Sequence, residues 1–217
     1  MPMHLRSIYS KPLEREFEAW TVSCIEKYFT ALGLTYAIWA VSPADEVNWP
    51  ADEKLSIKSK LIGLQFKQAK LRKNKTAADR LYWSLHQPPK QFDLIKAHTE
   101  IFYCLPTFIN RNFRSQALYH CLFWRPGEED DKNVWYDNGA ADTPYRKIRD
   151  AMRWGHFIES ILFCSIGELI ESPSKGQAAI NSIMNNQREL FAVTQEKTGG
   201  PHENGSGLYL LAIEIPT

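Results

Sequence analysis

The chain has 217 residues, 44% hydrophobic and 24% charged, which is the usage of a folded globular protein rather than a disordered or fibrous one. This length predicts a single domain spanning 1–217 that buries about 70% of its unfolded surface and needs no disulfide or metal staple. No apolar run reaches about 18 residues, and the first six residues, Met-Pro-Met-His-Leu-Arg, lack an export core, so a membrane span and secretion are not expected and a cytoplasmic location is.

A helix is predicted over residues 12–32. Leu13, Phe17, Trp20 and Cys24 recur at helical spacing, Val22, Ile25, Phe29 and Leu32 form a second stripe, and Ser10, Pro12 and Gly33 supply start and stop signals. Tyr36 to Val41 reads as a short strand. Two Pro-Ala-Asp-Glu segments follow, at 43–46 and 50–53, where the prolines favour irregular chain or a sheet rim. Lys54 to Ala69 reads as two strands with a turn near Ser59-Lys60. In the second, Ile62, Leu64 and Phe66 alternate with Gly63, Gln65 and Lys67, giving one core face and one polar face.

Further along, Pro89–Ala97 reads as a helix, Glu100–Leu105 and Ala117–Trp124 as strands, and Thr143-Pro144 as the start of a helix to Arg153. Helical spacing continues over Trp154–Leu162, another helix is expected over Gln177–Asn186, Gly199–Gly207 is a loop by composition, and Leu208–Ile215 is the last strand. The expected class is α/β with a mixed sheet flanked by helices.

Charge is unevenly spread. From Lys54 to Arg80 nine bases face one acid, Asp79, so this stretch carries +8 while the rest of the chain carries −7. Such a local field suits a docked polyanion, and a solvated basic turn would produce the same count. The four cysteines, Cys24, Cys104, Cys121 and Cys164, lie far apart in apolar stretches and read as reduced core residues, not as a metal-thiolate site. The histidines, His202 included, stand at no ligand spacing, and no ATP-binding or dinucleotide-binding glycine motif occurs, so no nucleotide motor is expected. Glu128–Asp131 reads as a solvated acidic loop. Tyr82-Trp83 and Phe123-Trp124 could stack on bases, yet aromatic residues at this density more often fill the core, and they are read as core residues.

With a turn centred between Ser59 and Lys60, Asp52 falls opposite Lys67, so that Asp52, the Gln65 amide oxygen and the Lys67 ammonium converge on one face. A plain cross-strand ion pair would use the same two charges. The arrangement resembles the PD-(D/E)XK nuclease superfamily of the restriction-endonuclease-like fold, in its Gln-x-Lys variant. The matching pieces are Pro50-Ala51-Asp52, Gln65-Phe66-Lys67 and the acids Glu14 and Glu18 of the preceding helix, all within about residues 12–75.

The resemblance implies a restriction-endonuclease-like mixed sheet and a Mg²⁺-dependent endonuclease, with Mn²⁺ able to substitute, hydrolysing phosphodiester bonds of nucleic acid, DNA ahead of RNA, in restriction or anti-phage defence. Asp52 would be the principal metal ligand, joined by the Gln65 side-chain carbonyl and the Phe66 backbone carbonyl. Lys67 would orient or deprotonate the attacking water, and Glu18, then Glu14, would complete the catalytic set. Gln65 departs from the commoner Glu and removes one negative charge from the site. Lys70, Arg72, Lys73 and Lys75 would hold flanking phosphates, and the chain would act as a homodimer or within a larger defence complex. The alternatives are a non-catalytic nucleic-acid-binding or assembly module of the same fold and an unrelated α/β protein-interaction domain.

Overall fold

The computed structural model describes residues 12–41, 59–72, 80–86, 90–136, 146–163, 165–172, 174–183, 185 and 208–214. Helix α1 runs from Glu14 to Leu32, with Leu13 as N-cap. It ends where the sequence places its stop, because Gly33 takes the left-handed conformation (φ 65°) that side chains disfavour and its N–H reaches the last carbonyls. The remaining elements are β1 (Tyr36–Val41), β2 (Ser59–Phe66), β3 (Ala69–Arg72), β4 (Arg80–Trp83), α2 (Gln91–Ala97), β5 (Ile101–Pro106), β6 (Cys121–Trp124), β7 (Val134–Tyr136), β8 (Arg146–Lys147), α3 (Trp154–Leu162), β9 (Glu168–Ile170) and β10 (Leu208–Glu214). Residues 174–183 form a further helix.

The main sheet has the order β1-β10-β2-β5-β6, with β9 also paired to β2. β10 is antiparallel to both β1 and β2, whereas β5 is parallel to β2, so the sheet is mixed. A smaller sheet has the order β3-β4-β7-β8. The α/β class with a mixed sheet flanked by helices therefore matches the architecture. Alternating residues of the main sheet feed two cores. Ile62, Leu64, Phe66, Phe102, Leu211 and Ile213 meet Phe17, Ile25 and Phe29 of α1 and Trp154, Phe157 and Ile161 of α3. Leu61, Ile101, Tyr103, Leu208 and Leu210 meet Phe92 and Ile95 of α2, Ile180, Ile183 and the inner face of the small sheet.

Three expectations are corrected. Ser59-Lys60 is not a turn: both residues are buried inside β2, opposite Glu214 and Ile213, and the Lys60 ammonium is satisfied by the Gly167 carbonyl at 3.0 Å. The antiparallel partners of β2 are β10 and β9, and the turn on which the Asp52–Lys67 register rested is not at Ser59-Lys60; Asp52 itself lies outside the described residues. The second face of β2 is not polar and open, since all eight residues are buried between the two cores. Helix α3 starts at Trp154 rather than near Thr143; Arg146–Lys147 is the strand β8, and the chain from 148 to 153 is non-helical. In addition, only Cys121–Trp124 of the predicted 117–124 strand enters the ladder. Cys104 and Cys121 are buried free thiols and Cys24 is a partly buried one. Among the described residues no helix is long and apolar enough to cross a membrane.

Candidate active site

The site is built where the first turn of α1 meets the C-terminal end of β2. Phe17 locks the two together: its ring meets Phe66 edge-on at 5.6 Å and Phe108 at 5.8 Å. On the outer side, Glu16 accepts from Arg111 Nη2 at 2.7 Å and Nε at 3.2 Å, and from the Leu13 N–H at 2.8 Å, which caps a helix whose N-cap residue has no polar side chain. On the inner side, Glu14 Oε2 accepts from the Gln68 N–H at 2.7 Å, and Gln68 Nε2 donates to the Pro12 carbonyl at 2.7 Å. The start of the helix and the end of the strand are thereby tied by polar and apolar contacts.

Glu14 and Glu18, four residues apart, share a helix face and both act on Lys67, the first residue beyond β2. Lys67 is only 3% exposed and Glu18 5%. Burial pulls the Lys67 ammonium down to about 8, with Glu14 and then Glu18 opposing that shift and Lys70 adding to it. Burial pushes the Glu14 carboxyl above its ordinary range, against the opposing pull of Lys67, the Gln68 N–H and Lys70. Tyr209 of β10 also reaches this region. Its ring lies 5.4 Å from Phe66, and burial, followed by Glu18, raises its phenol. The Cys104 thiol is pushed up by burial, Cys121 and Glu18, in that order.

The structure thus brings Glu14, Glu18, Lys67 and Lys70 into one electrostatic cluster. Gln65 is fully buried and paired to Leu208 and Tyr103, which places it on the face opposite Phe66, toward the second core. Phe66 is a core residue against α1. Lys70 donates to Ser84 Oγ at 2.5 Å, and Arg72 lies exposed at the end of β3. Asp52, Lys73 and Lys75 lie outside the described residues, as do Cys164 and the Gly199–Gly207 loop with His202.

The two carboxylates of α1 are oxygen ligands of the kind a hard divalent cation such as Mg²⁺ prefers, whereas the Gln65 amide, on the face toward the second core, does not join them. Among the described residues no group of three or more His, Cys, Asp or Glu is gathered to hold a metal, and the remaining carboxylate of the motif, Asp52, is not one of them.

Sequence reading missed Tyr209 and Gln68. Tyr209 enters through a strand pairing of about 145 residues' separation, for which no local signal exists. It also missed the small sheet, although the alternation Arg80-Leu81-Tyr82-Trp83 carries a period of two. The chain matches no protein-family model, no curated protein and no solved structure.

Proposed function

We propose that this chain is a metal-dependent nuclease acting on DNA, in restriction or anti-phage defence, with its centre at Glu14, Glu18, Lys67 and Asp52. The observation that carries the reading is the meeting of two helix carboxylates with a buried lysine at the end of the strand bearing Gln65-Phe66-Lys67. A buried ammonium held beside carboxylates is costly to the fold and is repaid by a task such as positioning a nucleophile. Glu14 and Glu18 would hold Mg²⁺ or Mn²⁺ together with Asp52, whereas Gln65 faces the second core and lies away from them. When bound, the cation lowers the pKa of water and offsets charge on the phosphate. Lys67 would orient the attacking water and face the growing negative charge, while Tyr209 and Phe66 close the apolar side and exclude bulk solvent.

A second reading is favoured by the position of Gln65. Its burial on the face toward the second core, in place of a charged Glu, suits a non-catalytic nucleic-acid-binding module. Cleavage of supercoiled plasmid, single-stranded DNA and RNA with Mg²⁺ or Mn²⁺ separates the two. Glu18→Gln, Lys67→Ala and Asp52→Ala are each expected to lower the rate about 100-fold or more. Cleavage unchanged in all three variants sinks the assignment, and binding without cleavage by wild type selects the binding module.

A further inference from the structure

Strand β1 forms one edge of the main sheet. Among the described residues it pairs only with β10, and no strand lies on its other side. Its ladder continues one rung before the strand begins, where the Glu214 N–H donates to the Thr35 carbonyl at 3.0 Å. Thr35 and Glu214 are therefore a hydrogen-bonded rung, and such rungs alternate along an antiparallel ladder. It follows that Ala37, Trp39 and Val41 turn their backbone groups toward β10, whereas Tyr36, Ile38 and Ala40 turn theirs outward.

This edge lacks the devices that keep an exposed strand from pairing. Its sequence, Tyr-Ala-Ile-Trp-Ala-Val, has no charge and no proline, and its register with β10 runs without a bulge. The composition also selects the partner. A charged edge laid antiparallel on its own copy would meet like charges, and this edge meets none. A twofold axis through Ile38 sets Tyr36 opposite the partner's Ala40, Ala37 opposite the partner's Trp39, and Ile38 opposite the partner's Ile38. Large side chains then meet alanines, and Ala37 and Ala40 are the exposed residues of the strand. Ala212 of β10 stands beside Ala37 in the same rung, so the partner's Trp39 would border a row of small residues. The same register puts Tyr36, Ile38 and Ala40 in hydrogen-bonded rungs, which satisfies their outward N–H and C=O groups reciprocally.

We infer that β1 pairs antiparallel with β1 of a second copy of this chain, centred on Ile38, so that the two main sheets become one continuous sheet. The twofold axis of such a pair is perpendicular to the sheet, which leaves α1 and its acids on the same face in both copies. The pairing goes beyond the nuclease reading and does not rest on it. Six residues at about 3.3 Å each make an edge roughly 20 Å long and about one sheet layer, ~10 Å, thick. That is small against the ~1,200 Å² of a standard interface, so the dimer belongs to the transient, concentration-dependent class.

Sedimentation velocity of the full chain, loaded at about 1 to about 100 μM, should show the weight-average mass rising toward twice the monomer. Ala40→Pro removes one outward N–H and leaves the bonds to β10, and Ala37→Glu sets a carboxylate from each copy into the pairing. Each should weaken the dimer about tenfold or more. Both positions are exposed, and circular dichroism melts of the variants should match wild type. Should Ala40→Pro melt early, Ala37→Glu and crosslinking decide. With oxidised glutathione, Ile38→Cys should give a disulfide-linked dimer that wild type does not, because directly opposed Cα atoms stand about 5.5 Å apart. Ala37→Cys and Ala40→Cys should not crosslink, their counterparts lying beyond about 7 Å in this register. A monomer at every concentration, variants that dimerise as wild type does, or equal crosslinking at all three positions overturns the proposal.

Discussion

Lys67 shows how a single buried charge sets a pH-dependent term in stability. Its folded pKa of about 8 lies below the ordinary lysine value, because burial outweighs the help of Glu14 and Glu18. The neutral form is therefore the one the fold favours: its contribution is complete above the unfolded value and is lost as pH falls through about 8. Lys67→Met removes the penalty, so the variant should be more stable than wild type at pH 7, by about 1–3 kcal/mol, while losing activity. Urea unfolding at pH 7 and near 10.5 checks this, since the gap should close at the higher pH. A variant less stable than wild type at both values would show that Lys67 is an ordinary structural ion-pair partner. The grouping of Lys67 with Glu14 and Glu18 came from the family resemblance, and the shared helix face of the two acids was legible from their spacing. The opposition of Asp52 was not, because it rested on a turn drawn at Ser59-Lys60, and a buried lysine satisfied by a distant carbonyl looks in sequence like a turn lysine.

Elements are joined by a few specific contacts, and two of them lend themselves to measurement. The Arg111 fork on Glu16 ties the start of α1 to the segment after β5. The hydrogen bonds from Arg111 hold the Glu16 carboxyl below its ordinary range, so its contribution is present above the ordinary glutamate value and is lost as pH falls through the depressed one. Arg111→Ala should cost about 0.5–1 kcal/mol at pH 7, both groups being partly exposed, and less at pH 3. Unfolding titrations at the two pH values read the difference. Gly63 of β2 stands opposite Ile101 of β5, whose side chain fills the space beside it: an added Cβ would stand 2.9 Å from Ile101 Cγ1. Gly63→Ala should cost about 1–3 kcal/mol, and part of this should return in Gly63→Ala/Ile101→Val, as thermal melts of the single and double variants would show. A glycine within an apolar strand is visible in sequence, but the neighbour that requires it is not.

At the scale of the whole molecule the C-terminal strand is structural rather than peripheral. β10 lies between β1 and β2, and both its faces feed a core, through Leu208 and Leu210 on one side and Leu211 and Ile213 on the other. Deleting residues 208–217 would cut β1 off from the rest of the sheet and expose β2, and the truncated chain should lose its cooperative unfolding transition by circular dichroism. A truncated chain that melts like the full one would contradict this strand order.

Sequence by itself determined the helices α1 and α2, the strands β1, β5 and β10, the basic segment and the residues with the chemistry for a site. These depend on side-chain periodicity, caps and residue type, which act over a few positions. Tertiary structure alone decided that β2 lies between the last strand and a parallel β5, that Gln65 faces an apolar layer, and that Tyr209 reaches Phe66 and Glu18. Strand pairing joins residues far apart in the chain, and the number of apolar layers around a strand is fixed by what packs on it rather than by its own pattern.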